Sequence, residues 1–402
     1  MTEQSYTTTA PRAGAGVADA GRRRRPLVAL YTESAEPSGM GAHMLALADE
    51  VGRGVDAAFM LHDDGLGAGG PVRSLAEAAR RRGHEVNVLP HGTAAWRTLS
   101  SWMKARRPDL LHVHAGIGWE ALAAPGLARR AGVTAVLRTE HLPYLLTDEQ
   151  QQADYHAMLA DVDARVCVSE AARDSYDRCE PAPISVVQNG VPEVRRPRRG
   201  RAAVRAALGV AAEAPVALTV ARFTPQKAYD VLLNAARSVL SRQPDTVFLW
   251  VGEGALRGFF TAAVCEAGLE QSVRILGGRD DVPELMAASD AFVLPSRFEG
   301  LPLALLEAMQ AGLPVVASRA PGTEEVFATD EAAELVAPED AESLGWAIQR
   351  VLGDIDLADE LIDRGGRLVR GRFSARRMGD ETLSLYRRLL DIKPVRNAAV
   401  LQ

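Results

Sequence analysis

The chain predicts an α/β architecture of two doubly wound, Rossmann-like domains facing each other across a cleft. Three observations predict it. Apolar runs of strand length alternate with amphipathic stretches of helix length along most of the sequence. The alternation breaks once, at Val191-Pro192-Glu193-Val194-Arg195-Arg196-Pro197-Arg198-Arg199-Gly200, where Pro, Gly and Arg crowd together without apolar periodicity. On both sides of that break, strands run into turns rich in Gly, His, Arg or Glu, at the edge where open parallel sheets bind ligands. A length of 402 residues suits two domains and exceeds one simple core.

In the first series, strands are predicted at 27–32, 56–61, 85–89, 110–114, 134–139, 164–168 and 185–188, with helices at 41–53, 72–82, 93–106 and 118–130 between them. This spacing implies right-handed crossovers and a largely parallel sheet. Gly83 and Gly132 follow helix ends, where a left-handed stop is common. Residues 191–200 are read as the linker between domains at 26–190 and 201–372. The second series places strands at 216–220, 246–251, 273–276, 291–294 and 314–318, with a short one near 333–336. A long helical stretch at 357–389 closes the pattern, and 373–402 is set apart as a terminal segment.

Composition narrows the function. A net charge of −6 gives no global attraction to nucleic acid, so none is expected as a partner. Cys167, Cys179 and Cys265 show no metal-ligand spacing and suit a reducing compartment, so a cytoplasmic location is expected. No run of eighteen apolar residues occurs. Residues 1–25 end in Gly21-Arg22-Arg23-Arg24-Arg25 and are read as a disordered basic tail, because 26–31 is too short for the apolar part of a signal peptide. The arginines leave contact with a membrane open without favouring it.

The most informative stretch is Ser296-Arg297-Phe298-Glu299-Gly300-Leu301-Pro302-Leu303, followed by Glu307 and by Ala311-Gly312-Leu313-Pro314-Val315-Val316-Ala317. It reads strand, loop, helix, strand. Glu299 can reach a polyhydroxylated group in the cleft, and Glu307, about two turns on, a second set of hydroxyls. Free amides at the helix start, including those of Gly300, Leu301 and Leu303, suit phosphate, whereas Pro302 has none to offer. Sugar, phosphate and ribose together describe a nucleotide sugar.

Other strand ends add to this. The turn Ala221-Arg222-Phe223-Thr224-Pro225-Gln226-Lys227-Ala228 sets Arg222 and Lys227 where a diphosphate would lie. Gly39 and Gly41 follow the first strand and let backbone approach a ligand. Leu276-Gly277-Gly278-Arg279-Asp280-Asp281-Val282-Pro283 ends another strand, and Asp281 and Pro283 mark a helix start. His114 and His141 sit at strand ends on the first-domain side. His112 shares strand parity with His114 but lies deeper, as a core or support residue. His43 and His91 are weaker candidates.

These residues resemble the Glu-x7-Glu motif and its companions in retaining glycosyltransferases of the GT-B fold, family 4 (glycosyltransferase group 1). The likeness runs from about Pro26 to about Leu389. It implies that Glu299 contacts the donor sugar, Glu307 the ribose, Arg222 and Lys227 the donor phosphates, and Gly278 and Arg279 the base. It implies that Gly39 and Gly41 lie against the diphosphate or the acceptor, and that His141 and His114 stand beside the transferred sugar. Ala221 and Ala228 stand where the resembled turn has glycines, and Met40 separates the two glycines of the first loop. The terminal segment is implied to pack back across the first domain.

The implied reaction is transfer of a hexosyl or N-acetylhexosaminyl group from a nucleoside-diphosphate sugar to a hydroxyl, with retained configuration. UDP-sugar is the expected donor and GDP-sugar the next. No carboxylate is placed as a covalent nucleophile, unlike the paired acids of glycoside hydrolases. No Asp-x-Asp stands at the sheet face, so no cofactor or metal is expected. A small acceptor such as a cyclitol, sugar or natural product is favoured, with first-domain loops such as 62–70 choosing it. The alternatives are a lipid- or polysaccharide-directed transferase and a non-catalytic nucleotide-sugar binder; an epimerase would need a second acid–base carboxylate opposite Glu299. The chain is expected to be a monomer or homodimer.

Overall fold

The structure is a computed structural model that describes residues 24–36, 38–65, 70–176, 181–193 and 197–391. The basic tail before Arg24, linker positions 194–196, loop positions 66–69 and the end beyond 391 lie outside the described residues.

Seven parallel strands form the first sheet: β1 (Leu27–Thr32), β2 (Asp56–His62), β3 (Glu85–Leu89), β4 (Leu110–Ala115), β5 (Ala135–Glu140), β6 (Ala164–Cys167) and β7 (Ile184–Val186). Their order is β3-β2-β1-β4-β5-β6-β7. Six more form the second: β8 (Val216–Val220), β9 (Val247–Val251), β10 (Val273–Gly277), β11 (Ala291–Leu294), β12 (Val315–Ser318) and β13 (Glu334–Val336), in the order β10-β9-β8-β11-β12-β13. Helices cover both faces of each sheet, which is why β1, β5 and β9 are buried along their whole length. Alternate residues feed opposite layers of core. In the first sheet Leu30 and Phe59 meet Met44 on one side, while Tyr31, Met60 and Val113 meet Leu99 on the other. In the second, Leu249 and Phe292 pack with Leu305, and Trp250 and Val293 with Leu232.

Strand order reverses between β1 and β4, and again between β8 and β11. Each reversal opens a crevice at the carboxyl ends of the strands. The expected site segments leave from these four strands or from β5 beside them, except Gly278 and Arg279, which follow the edge strand β10.

Three elements differ from the sequence reading. The stretch 357–389 is two helices, Ile355–Arg372 and Ala375–Leu389. Between them Ser374 caps the second helix by accepting from the Arg377 amide at 3.3 Å. There the chain also pairs with the linker: Val191 N–H donates to the Phe373 carbonyl at 2.8 Å and Ala375 N–H to the Val191 carbonyl at 2.9 Å. Gly190 permits this crossing, since a Cβ there would fall 2.3 Å from the Ser374 carbonyl oxygen. The helix expected at 118–130 spans only Ala123–Ala131. The buried Arg138 guanidinium holds the Gly118 and Glu120 carbonyls at 3.0 and 2.8 Å in a non-helical turn. The first helix begins at Ser38, so Gly39 and Gly41 lie in its first turn.

The last helix packs on the first domain, with Met378, Leu383 and Tyr386 joining the Met44 and Leu47 core. The Tyr386 hydroxyl shares a 2.7 Å hydrogen bond with His112 Nδ1, and His112 Nε2 shares another with Thr139 Oγ1. Tyr386→Phe leaves the buried imidazole short of one partner. It should lower unfolding stability by about 1–3 kcal/mol in urea denaturation, with the slope of the transition unchanged.

Candidate active site

The loop after β11 is pressed against both domains through glycine. A Cβ on Gly300 would lie 1.9 Å from the carbonyl oxygen of His141, which follows β5 of the first domain. A Cβ on Gly322, in the helix Pro321–Phe327, would lie 2.2 Å from the Gly300 carbonyl oxygen and 2.5 Å from that of Glu299. The backbone of 299–300 is thus layered between His141 and Gly322. Asn189 adds a second tie across the cleft, since its side-chain amide donates to the Leu301 carbonyl at 2.8 Å. Glu325 adds a third by accepting the Glu170 and Ala171 amides at 3.0 and 2.8 Å.

Glu299 is buried beside the turn after β8. Its carboxylate accepts from Lys227 Nζ at 2.5 Å and from Gln226 Nε2 at 3.4 Å. Gln226 also donates to the Phe298 carbonyl at 2.8 Å, and Arg297 N–H to the Gln226 carbonyl at 2.8 Å. The two loops are therefore stapled together. Lys227 ends a short 3-10 turn, Pro225–Lys227, and Ala228 takes left-handed angles of φ 49° and ψ 46° there. An alanine carries a cost of about 1–2 kcal/mol in that conformation. Arg222 reaches across the cleft to Glu36, 4.0 Å away, beside the helix start that carries Gly39 and Gly41.

The helix Leu303–Gln310 starts after Pro302 with no side-chain cap, so its first amides stay available to an anion. Leu301 is buried and Leu303 partly so. Glu307 projects from this helix with some exposure to solvent, and burial pushes its carboxyl up to about 7.

On the first-domain side His114 Nδ1 and His141 Nε2 lie 3.1 Å apart. The His43 ring meets His141 edge-on at 4.7 Å between centroids, and His112 lies 4.1 Å behind His114. Burial comes first, and neighbouring imidazoles second, in holding His112, His114 and His141 well below the ordinary histidine range. Burial takes His43 down to about 4 against the pull of Asn189. Four neutral rings follow. His114 Nε2 is buried without a partner.

Gly278 and Arg279 sit apart at the end of β10. The Gly278 amide donates to Glu253 Oε1 at 2.8 Å, and the Arg279 fork holds Asp281 at 2.8 Å. Asp281 was expected as a helix cap. It occupies that position but makes no side-chain cap, because its carboxylate is held by Arg279 and Arg199. Glu140 is likewise engaged, by Arg138 at 2.6 Å and Tyr155 at 2.9 Å. His91 lies outside the histidine group, against the Asp63 carbonyl.

Glu299, Lys227, Gly300 and His141 are therefore brought together directly, with Glu307 on the helix that follows. Sequence reasoning undervalued His43 and missed Asn189, Gln226 and Glu36. His43 had a signal in its place on the helix beside the first glycine turn. Asn189 had none beyond its neighbour Gly190.

Similarity to known proteins bears on the family and the fold. Residues 200–367 match the family model described as Glycosyl transferases group 1, and residues 87–195 match Glycosyltransferase Family 4. A D-inositol 3-phosphate glycosyltransferase from Saccharomonospora viridis is 32% identical over 303 residues, covering 69% of this chain and 70% of that one. A lipopolysaccharide core biosynthesis glycosyltransferase of Rhizobium meliloti is 33% identical over 182 residues, covering 45% of this chain and only 52% of that one. The crystal structure of Anabaena HepE with UDP and glucose superposes with a TM-score of 0.75 at 18% identity, over 90% of this chain and 99% of that one.

Gly300→Ala should displace the 299–300 loop from His141. Turnover should fall by about 100-fold, as for an ångström-scale misplacement of reacting groups. Stability should fall by about 1–3 kcal/mol. Gly371→Ala, whose added Cβ meets nothing within 4 Å, is the control and should leave kcat and Tm near wild type.

Proposed function

The chain belongs to the group 1 glycosyltransferases of GT-B fold, and from that premise we propose that it moves a hexosyl or N-acetylhexosaminyl group from a UDP-sugar to a hydroxyl of a small acceptor, with retention. The observation that carries this reading is the contact of Gly300 with the His141 carbonyl. It sets Glu299, Lys227 and the open helix start against a histidine of the facing domain.

In this reading the diphosphate lies on Arg222, Lys227 and the first amides of the helix Leu303–Gln310. The ribose hydroxyls donate to Glu307. Glu299 holds donor-sugar hydroxyls and gives up part of Lys227 to phosphate. The bond between C1 and the phosphate oxygen breaks while the acceptor oxygen bonds C1 from the same face. The leaving phosphate oxygen takes the acceptor's proton. His141, neutral, holds a sugar hydroxyl close to C1. Charge on the diphosphate is met by Arg222 and Lys227, which supports transfer without a metal. Uracil is favoured by the UDP bound to the similarly folded Anabaena protein.

A small, polyhydroxylated acceptor is supported by the likeness to the inositol-phosphate enzyme, which extends over 70% of that protein. The Rhizobium likeness favours an envelope glycan as the second reading. Among the described residues no helix is long and apolar enough to cross a membrane. Free Cys265 fits the proposed cytoplasmic location. Assay of purified protein with UDP-sugars against small polyols and against lipid extracts tests the reading. Product with polyols supports it; product only with lipid extracts overturns the acceptor.

Glu307→Ala should weaken UDP binding by about 1.5–3 kcal/mol in calorimetry, while Glu299→Ala spares UDP and loses turnover. Equal losses of UDP affinity would reverse the ribose and sugar assignments. His141→Ala should lower kcat strongly with UDP affinity nearly intact.

A pH effect follows from Glu307. Its carboxyl is raised above the unfolded value, so the donor-free fold gains most from it at low pH and loses that gain as pH rises through about 7. Ribose hydroxyls donate to the ionised form and favour it, so nucleotide binding should release a proton. UDP affinity should therefore rise as pH increases towards about 7, by up to about tenfold per unit, and level off above it, and this rise should vanish in Glu307→Gln.

A further inference from the structure

Three of the four clustered imidazoles also stand close enough together to share one ligand. His43, His114 and His141 each offer one ring nitrogen, and these atoms all lie within 4.8 Å of one another. His114 and His141 already meet at 3.1 Å. Nitrogen atoms around a tetrahedral zinc ion, bound at about 2.0–2.1 Å, stand roughly 3.3–3.4 Å apart. Closing the set therefore takes side-chain shifts of roughly an ångström.

The hydrogen bonds around the rings also fit. Asn189 fixes the His43 tautomer: its amide nitrogen donates to the Leu301 carbonyl, which leaves its Oδ1 to accept from His43 Nδ1–H at 2.9 Å. His43 Nε2 is then the lone-pair nitrogen. A second partner of this kind, orienting a histidine through its other nitrogen, is what metal-binding histidines carry. His43 and His114 are buried, while His141 keeps an opening to the cleft where a fourth ligand can enter.

We propose that His43, His114 and His141 form a binding site for one borderline divalent ion of the zinc type, with its fourth position facing the cleft. The all-nitrogen set selects Zn²⁺, Co²⁺ or Ni²⁺ over Mg²⁺, which takes oxygen ligands. Binding of the ion stands on the histidine geometry alone. Its consequence rests on the donor reading above: an ion there ties up His141, so Zn²⁺ inhibits transfer that the ion-free enzyme carries out.

Titration of the full chain with Co²⁺, read by the visible absorption of tetrahedral cobalt, and with Zn²⁺ by calorimetry tests the site. One equivalent should bind, and Mg²⁺ should not compete. His43→Ala should weaken Zn²⁺ by more than about 100-fold, and Asn189→Ala by about 10–100-fold, the range for loss of an orienting partner. UDP binding by both variants verifies that they are folded, and Cys265→Ser should titrate as wild type. Absence of stoichiometric binding by the wild type, or unchanged binding in His43→Ala, overturns the site. Stoichiometric binding without inhibition leaves the ion site standing and removes His141 from the sugar.

Discussion

Everything at the cleft depends on how closely the backbone of 299–300 can approach its two neighbours. A side chain on Gly300 would strike the His141 carbonyl, and one on Gly322 would strike the Gly300 carbonyl. With both absent, three peptide segments stack directly. Glu299 is then held on one side of the stack and the His141 ring on the other. Neither group needs a long or flexible side chain to reach the space between them, so little conformational entropy is lost when a substrate orders it.

Two electrostatic regimes meet at that stack. On the second-domain side, charge is abundant and self-neutralised: Lys227 holds Glu299, and Arg222 approaches Glu36. Among the described residues, Lys227 and Arg222 thus each face a carboxylate there. On the first-domain side the imidazoles are neutral; His114 and His141 share a hydrogen bond, while Asn189 holds His43 and Thr139 and Tyr386 hold His112. Because Tyr386 belongs to the last helix, the chain's return to the first domain supports the histidine layer from behind. At Gly190 and Ser374 the linker and the return segment pair side by side.

Much of this was legible in the sequence, for identifiable reasons. Both sheets follow from buried runs such as 27–32 and 291–294, whose apolar length leaves no other stable arrangement. Glu299, Glu307, Arg222 and Lys227 stood out because each lies at a fixed offset from a strand end. Contacts between distant segments were not legible. Nothing in the local sequence says that Asn189 will bridge His43 and Leu301, or that Arg138 will unwind the turn at 118–120 by binding its carbonyls. The break at Ser374 was hidden because both flanking helices keep an apolar stripe; Ser374 caps the second helix and pairs beside Val191 to separate them. Asp281 carried a correct cap signal that Arg279 and Arg199 outcompeted.

The central claim is that one donor molecule bridges the groups gathered around the Gly300 stack. A crystal structure of the protein with an intact UDP-sugar tests it most directly. The account predicts ribose oxygens on Glu307, phosphate oxygens on Arg222 and Lys227, and the sugar between Glu299 and His141, with the Lys227–Glu299 bond lengthened or broken. A nucleotide bound elsewhere, with that bond intact and Glu307 untouched, would contradict it.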